Sequence, residues 1–174
     1  QEAPRIANSP AITKAYFANY SSWSGKAKDY ISMQKEGEFQ IHLGVEHHQV
    51  GQNLKSAKTK WRRNGFKAHT DEAELTEQGG TSGGAWVAIP ARLANYPFVS
   101  QRTASSRSSW AAAVYRAGKI DILFVAAYFY TGADQATNEK NTKLIHEIGA
   151  HIATTRGLFV MAADWNMEQA KVEE

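Results

Sequence analysis

The sequence contains no cysteine, so disulfide bonds and thiolate metal sites are excluded. Its longest uninterrupted apolar run, Ile122 to Tyr130, is far shorter than the about 20 residues that span a bilayer. The first ten residues lack the apolar core of a signal peptide. Repeats, linkers and low-complexity segments are also missing from the sequence. These absences favour an intracellular protein of the nucleus or cytoplasm, with no membrane partner.

The length and composition favour one globular domain. The chain has 174 residues, of which 43% are hydrophobic and 21% charged, enough to bury a substantial core. Its formal charge is only +3, so affinity for polyanions would have to come from local patches. The chain starts at Gln1 without Met, which indicates an excised segment. We expect residues 1–12 to be an N-terminal extension and residues 13–174 to form the domain.

Apolar periodicity predicts alternating strands and helices. Lys14 to Tyr20 reads as a strand, Ser24 to about Lys35 as a helix, and Glu38 to Glu46 as a second strand, which together form a β-α-β start. The remaining predicted elements are a helix at 51–64, strands at 65–69, 84–90, 109–117 and 120–129, a helix at 136–155 and a closing strand from 157, with a polar loop at 71–82. Strands 109–117 and 120–129 form a hairpin through Gly118 and Lys119. The fold class is therefore α/β, with mixed sheets flanked by helices.

Polar side chains close several of these strands. They are Asn19, Glu46, Tyr128, Asp164 and Asn166. Alternation along a strand would place Asp164 and Asn166 on one face. Phosphoryl chemistry needs a hard cation held by few carboxylates, a positioned water and neutral donors to phosphate oxygens, and these residue types supply them. Two plainer interpretations remain: Glu46 as a solvated edge residue, and Asp-x-Asn as a turn whose side chains cap backbone groups.

Five motifs in order resemble those of the endonuclease/exonuclease/phosphatase superfamily, which includes abasic-site and retroelement endonucleases. The likeness covers roughly residues 14–167 and implies an α/β sandwich of mixed sheets. The motifs are Ala18-Asn19-Tyr20-Ser21-Ser22-Trp23, Leu43-Gly-Val-Glu46-His-His48, Ser82-Gly83-Gly84, Leu123-Phe-Val-Ala-Ala-Tyr128 and Ala163-Asp164-Trp165-Asn166. Ala163 stands where the family has Gly, and His47 where it often has Thr.

The resemblance implies a mechanism and a set of roles. Glu46 would hold Mg²⁺ or Mn²⁺, with Asn19 assisting through its amide oxygen or a water. Asp164 would orient or deprotonate the attacking water. Asn166 and Tyr128 would donate to the phosphate as charge builds on its oxygens.

The family pattern also includes a later Asp and a C-terminal Ser-Asp-His motif, for which this chain has no counterpart. All six histidines precede Asp164, at positions 42, 47, 48, 69, 146 and 151. The resemblance therefore implies that this chain is the N-terminal two-thirds of the domain. The missing C-terminal segment of the same domain would be its partner. We expect the isolated chain to fold poorly. We also expect little activity, because one donor to a developing oxyanion contributes roughly 3 kcal/mol of transition-state stabilisation.

A basic stretch with interleaved aromatic residues follows the second strand. Its cations are Lys55, Lys58, Lys60, Arg62, Arg63 and Lys67. Lys58, Arg62 and Arg63, together with Arg102 in a Ser-rich loop, are candidate contacts to a nucleic-acid backbone. A solvated helix face anchored by a buried Trp61 explains the stretch equally well. A zinc cluster of His42, His47 and His48 is disfavoured, since residues 47 and 48 point to opposite faces of an extended chain.

The sequence therefore favours a divalent-metal-dependent phosphodiesterase, an endonuclease that cuts nucleic acid, with DNA favoured over RNA. Two other interpretations stay open. One is a non-catalytic remnant that binds nucleic acid or a protein partner. The other is a phosphatase of small phosphorylated metabolites or lipids, because one fold hosts many functions.

Overall fold

A computed structural model of the chain describes residues 13–21, 29–30, 41–98 and 109–166. The first sheet is formed by strands β1 (Ala15–Asn19), β2 (Ile41–Val45), β3 (Phe66–Asp71) and β6 (Ala85–Pro90). The second sheet is formed by strands β7 (Asn95–Pro97), β8 (Trp110–Ala117), β9 (Ile120–Tyr128) and β10 (Leu158–Asp164). A small hairpin comprises β4 (Glu74–Leu75) and β5 (Thr81–Ser82), and the helices are α1 (Gly51–Arg63) and α2 (Gln135–Thr154).

Both sheets are mixed, as expected from the sequence. The first has the order β1-β2-β6-β3, with β1 parallel to β2 and the other pairs antiparallel. The second has the order β10-β9-β8-β7, with β10 parallel to β9. The carboxyl ends of β1 and β2 therefore share one edge of the first sheet, and those of β9 and β10 share one edge of the second.

The two sheets pack face to face around the main core. Most core residues of β2 and β6 are large and most of those of β8 and β9 are alanines, which let the second sheet approach closely. The core residues are Ile41, Leu43, Val45, Ala85, Val87, Ile89, Ala111, Ala113, Phe124 and Ala126. Because side chains alternate along each strand, one set points into this core and the other set points to the outer face of its sheet, which a helix covers.

Each helix covers the outer face of one sheet. Trp61 of α1 is fully buried among Phe66, Trp86 and Ala88, whereas Leu144 and Ile148 of α2 pack against β8 and β9. The order of layers is therefore helix, sheet, sheet, helix. Neither described helix combines the length and the apolar character needed to cross a bilayer.

The predicted α/β architecture is confirmed, with differences in the short elements. The loop predicted at 71–82 contains the hairpin of β4 and β5, and β7 was not predicted. Both escaped notice because strands of two or three residues carry too little alternation to detect. Most of the predicted helix from Ser24 to Lys35, residues 1–12 and Arg102 lie outside the described residues.

Candidate active site

Four of the five predicted site residues meet at one end of the sandwich. Asn19 ends β1, Glu46 follows β2, Tyr128 ends β9 and Asp164 ends β10. Asn19 is paired in register with Val45, and Asp164 with Tyr128. Parallel pairing therefore sets Asn19 beside the end of β2, where Glu46 follows, and sets Asp164 beside Tyr128. Packing of the two sheets brings these residues together.

Asn19 joins the two carboxylates. Its Nδ2 donates to Glu46 Oε2 at 2.6 Å and to Asp164 Oδ2 at 2.6 Å. Its Oδ1 accepts a hydrogen bond from the backbone N–H of Ser21 at 2.7 Å. The carboxamide thus turns its nitrogen, rather than its oxygen, toward the carboxylates. Because both acceptor oxygens lie 2.6 Å from one nitrogen, they are at most about 5 Å apart.

Glu46 is held by an unusual backbone conformation. Its φ is +56°, as is that of His48, which places both residues in the left-handed region that non-glycine residues rarely occupy. The chain reverses there, and the N–H groups of His47 and His48 donate to the carbonyls of Gly84 and Gly83. Such strained residues are concentrated at functional sites. The Ser-Gly-Gly motif therefore supports the loop that carries Glu46.

His47 is a buried structural histidine. Its Nδ1 accepts from the Gln49 backbone N–H at 2.9 Å, so its Nε2 carries the proton and donates to the Asp71 carbonyl at 2.9 Å. Burial lowers the pKa of His47 to about 4, which keeps the ring neutral at pH 7. A Cβ added at Gly84, whose φ is +88°, would collide with this ring. The ring also stacks on Trp86 at a centroid distance of 4.9 Å.

Tyr128 lies beside both carboxylates. Burial raises the pKa of its hydroxyl, and the nearby Glu46 and Asp164 raise it further, whereas a hydrogen bond with Thr131 lowers it. The phenol therefore stays protonated at neutral pH and can donate a hydrogen bond. Buried Asn141 of α2 fixes the following segment, since its carboxamide accepts from the Tyr130 N–H at 2.8 Å and donates to the Tyr130 carbonyl at 2.9 Å. Sequence reasoning missed Asn141, although a polar residue on the apolar face of a helix was a visible signal.

Asn166 does not share a strand face with Asp164, and that prediction was wrong. The strand ends at Asp164, and Asn166 has a φ of +47°. The Asp164 Oδ1 accepts from the Asn166 N–H at 3.2 Å, and the Asn166 Nδ2 donates to the Phe129 carbonyl at 2.6 Å. Both side chains cap backbone groups, as in the turn interpretation, yet the second carboxylate oxygen of Asp164 still reaches Asn19. Trp165 stacks on Phe129 at 4.7 Å and locks the turn.

The donor set suits a hard divalent cation held by few protein ligands. Within the described residues, no three His, Asp or Glu side chains form a metal-binding group. Mg²⁺ commonly uses only one or two carboxylates and fills its other positions with water and substrate phosphate. Glu46 and Asp164 provide two carboxylate oxygens at most about 5 Å apart, so a hard cation near them would meet concentrated negative charge. The donor set is therefore of the kind that a hard divalent cation accepts.

The histidines do not complete this site. All six lie within the described ranges. His47 and His48 bond to the backbone carbonyls of Asp71 and Thr81, and His69 bonds to Asn95. His42 is buried beside Trp61 and Phe66, and His151 packs on Trp110. The site thus offers carboxylates, amides and a phenol as its functional groups.

The three predicted nucleic-acid contacts that the structure describes, Lys58, Arg62 and Arg63, lie away from this cluster. Arg62 and Arg63 occupy the last turn of α1, which starts just after the Glu46 loop and runs toward the opposite end of the sandwich. Lys58 lies one turn earlier on the same helix. Trp61 is the buried anchor of the helix, as the plainer interpretation expected.

No protein-family model matches this sequence, and no curated protein matches it. Solved structures do resemble it. The endonuclease domain of TRAS1, a telomere-specific non-LTR retrotransposon, is 12% identical and aligns over 91% of this chain and 61% of its own, with a TM-score of 0.57. The 3′ phosphatase NExo from Neisseria, bound to a product DNA hairpin, is 10% identical over 90% and 58% of the two chains, with a TM-score of 0.65.

The AP endonuclease LMAP from Leishmania major is 11% identical over 87% of this chain and 54% of its own, with a TM-score of 0.63. This chain thus spans between 54% and 61% of the three structures. At such identities the likeness shows a shared fold.

Proposed function

Because this chain has the fold of the endonuclease/exonuclease/phosphatase superfamily, we propose that it is a divalent-metal-dependent phosphodiesterase. Its substrate is nucleic acid, DNA rather than RNA, and it cuts within the strand as an endonuclease. One observation carries the proposal: the Asn19 amide lies 2.6 Å from carboxylates of Glu46 and Asp164 that come from different sheets. Convergence of two acids and a neutral donor at strand ends suits phosphate chemistry.

Glu46 is the proposed ligand for Mg²⁺ or Mn²⁺. When bound there, the cation would supply positive charge beside the phosphate oxygens. The left-handed backbone of Glu46 and the hydrogen bonds to Gly83 and Gly84 fix the direction of its carboxylate. Asn19 orients that carboxylate further and keeps it close to Asp164.

Asp164 is the proposed acceptor for the proton of the attacking water. Its two hydrogen bonds, from the Asn19 amide and the Asn166 backbone N–H, hold the carboxylate in one orientation. Tyr128, protonated because burial raises its pKa, would donate to a phosphate oxygen. Asn166 carries a second amide N–H besides the one bonded to Phe129, and this N–H is the other proposed donor.

The rate of DNA cleavage expected for this chain is low, because none of its histidines is placed to stabilise the charge that builds on the phosphate. We propose that an Asp-paired histidine from a further segment of the same domain completes the site. Loss of one oxyanion donor lowers turnover on the order of 10²- to 10³-fold. A substrate with an activated leaving group depends less on such help, and it isolates the contribution of the residues present.

The test therefore uses bis(p-nitrophenyl) phosphate with Mn²⁺. We expect metal-dependent release of p-nitrophenolate that falls on the order of 10²-fold in Asp164→Asn, which keeps the shape of the side chain but removes the base. Calorimetry should show weaker Mn²⁺ binding by Glu46→Gln, whereas Glu139→Gln, on the surface of α2, should bind Mn²⁺ like the wild type. Equal hydrolysis by Asp164→Asn and the wild type would contradict the proposed role of Asp164.

A second function is favoured by the same amide. The Asn19 amide donates to both carboxylates, and such internal hydrogen bonding is compatible with a non-catalytic remnant that binds nucleic acid. In that case Mn²⁺ binding and p-nitrophenolate release would both be absent, while binding to DNA would persist.

A further inference from the structure

Helix α1 presents a concentrated basic surface to solvent. Residues 47–70 contain six lysines and arginines and no aspartate or glutamate, although the whole chain has a net charge of only +3. The rest of the chain is therefore net negative. The basic surface of α1 consists of five cations of the helix and one at the start of β3, namely Lys55, Lys58, Lys60, Arg62, Arg63 and Lys67, of which only Lys60 is partly buried.

Two shallow grooves divide this surface. One, of about 510 Å³, is lined by Lys55, Lys60 and Arg63, and the other, of about 400 Å³, by Lys58, Arg62 and Lys67. Thr59 lies between them and lines both, and neither groove has an acidic residue in its lining. Among the described residues, none of these six cations forms a salt bridge. Their charges are therefore available to an external anion.

The charges of this surface also lower the pKa of a neighbouring histidine, His69. The pKa of His69 is lowered, mainly by burial, and the charges of Lys67 and Lys58 lower it further. The positive field of the surface thus reaches His69, which lies on the same strand as Lys67.

From the two grooves and their charges, we propose that the basic surface of α1 binds the sugar-phosphate backbone of nucleic acid, as an anchor separate from the cluster of Glu46 and Asp164. Lys55 and Arg62 are seven residues apart, which is about 10 Å along a helix. One strand of B-DNA presents about three phosphates over that length.

The architecture favours nucleic acid over an anionic membrane. Helices that lie on membranes insert an apolar face. In α1 the apolar residues Leu54, Ala57 and Trp61 are buried against the first sheet and cannot be inserted. The occupant must therefore be bound through its charges, as a phosphate backbone is.

The position of the anchor sets the length of its ligand. Helix α1 starts near the Glu46 loop and extends for 13 residues, about 20 Å, toward the opposite end of the sandwich. A nucleic acid that contacts both regions must extend about six base pairs or more beyond the cleaved phosphate. This extension rests on the proposed function, whereas the anchor itself does not.

The test measures the affinity of the chain for a fluorescent 30-base-pair duplex in EDTA, between 50 and 200 mM KCl. In the variant Lys58→Gln, Arg62→Gln, Lys67→Gln, the slope of log K against log salt should become less steep by about 2.7, at about 0.9 per lost phosphate contact. The salt-induced loss of affinity over this range would then be about 40-fold smaller. The variant Lys55→Gln, Lys60→Gln, Arg63→Gln provides a second, independent test.

The matched control removes three cations elsewhere, as Lys119→Gln, Lys143→Gln, Arg156→Gln, and should leave the slope nearly unchanged. Circular dichroism melts should confirm that each variant folds, since the changed residues are mostly exposed. Equal slopes for the α1 variants and the control would overturn the proposal, as would stronger binding to phosphatidylserine vesicles than to the duplex. A chain that shows the expected slopes but releases no p-nitrophenolate would refute the proposed function and leave the anchor supported.

Discussion

The substitution Asn19→Asp tests the hydrogen bonds by which Asn19 links the two sheets. It replaces the Nδ2 that donates to Glu46 and Asp164 with an oxygen of nearly the same size. Two charge-assisted hydrogen bonds are lost, each of which contributes about 1.5 to 3 kcal/mol when buried. In their place, a third negative charge faces two others at contact distance.

The magnitude follows from the separation and exposure of these groups. Like charges about 4 Å apart repel by about 1 kcal/mol in water and about 4 kcal/mol at an effective dielectric constant of 20. Because Asn19 is exposed and both acids are partly exposed, values near the lower end apply. We expect the free energy of unfolding of Asn19→Asp in EDTA to fall by about 2 to 4 kcal/mol.

The same variant should respond more strongly to metal. Three carboxylates attract a divalent cation better than two, so saturating Mn²⁺ should restore more stability to Asn19→Asp than it adds to the wild type. Urea unfolding with and without Mn²⁺ measures both effects, and Asn19→Ala serves as a control that loses the hydrogen bonds without adding charge. If Mn²⁺ stabilises Asn19→Asp no more than Asn19→Ala, the two carboxylates do not form a cation site.

Two further predictions concern stability and association. The pKa of His47 is about 4 in the folded chain and 6.5 in the unfolded chain, so the unfolded chain takes up this proton first as the pH falls. About 3 kcal/mol of stability that is present above pH 6.5 should therefore be lost by pH 4. Urea unfolding across this range should show a shallower pH dependence in His47→Gln. Leu158, Phe159 and Val160 are 62%, 52% and 42% exposed on the edge strand β10, so the chain should self-associate and Phe159→Lys should reduce this association in sedimentation velocity. A monomeric wild type at all concentrations would contradict the second expectation.

The longer elements and the convergence of four polar strand-end residues were accessible from the sequence. Alternation in residues 109–129 predicted the hairpin, and helical spacing of Leu144 and Ile148 predicted α2. The polar residues Asn19, Glu46, Tyr128 and Asp164 were recognisable because each follows an apolar strand, and strand ends that share an edge converge.

Local geometry at the site was not accessible. The left-handed conformations of Glu46 and Asn166 depend on partners distant in sequence, namely the carbonyls of Gly83, Gly84 and Phe129. The direction of the Asn19 carboxamide depends likewise on Ser21 and on two acids. Strand alternation could not predict Asn166, since it describes extended backbone only.

The bond between Asn19 and Asp164 also has a consequence for the order of folding. These residues are 145 positions apart, and among the described strands each belongs to one that pairs with a single neighbour. Ends so distant must lose substantial loop entropy before they meet, and contacts of this range slow folding. The carboxylate pair is therefore among the last features to form. A nascent or partly folded chain would lack the carboxylate pair even when most of both sheets is in place, which would delay the proposed chemistry on phosphate until folding is complete.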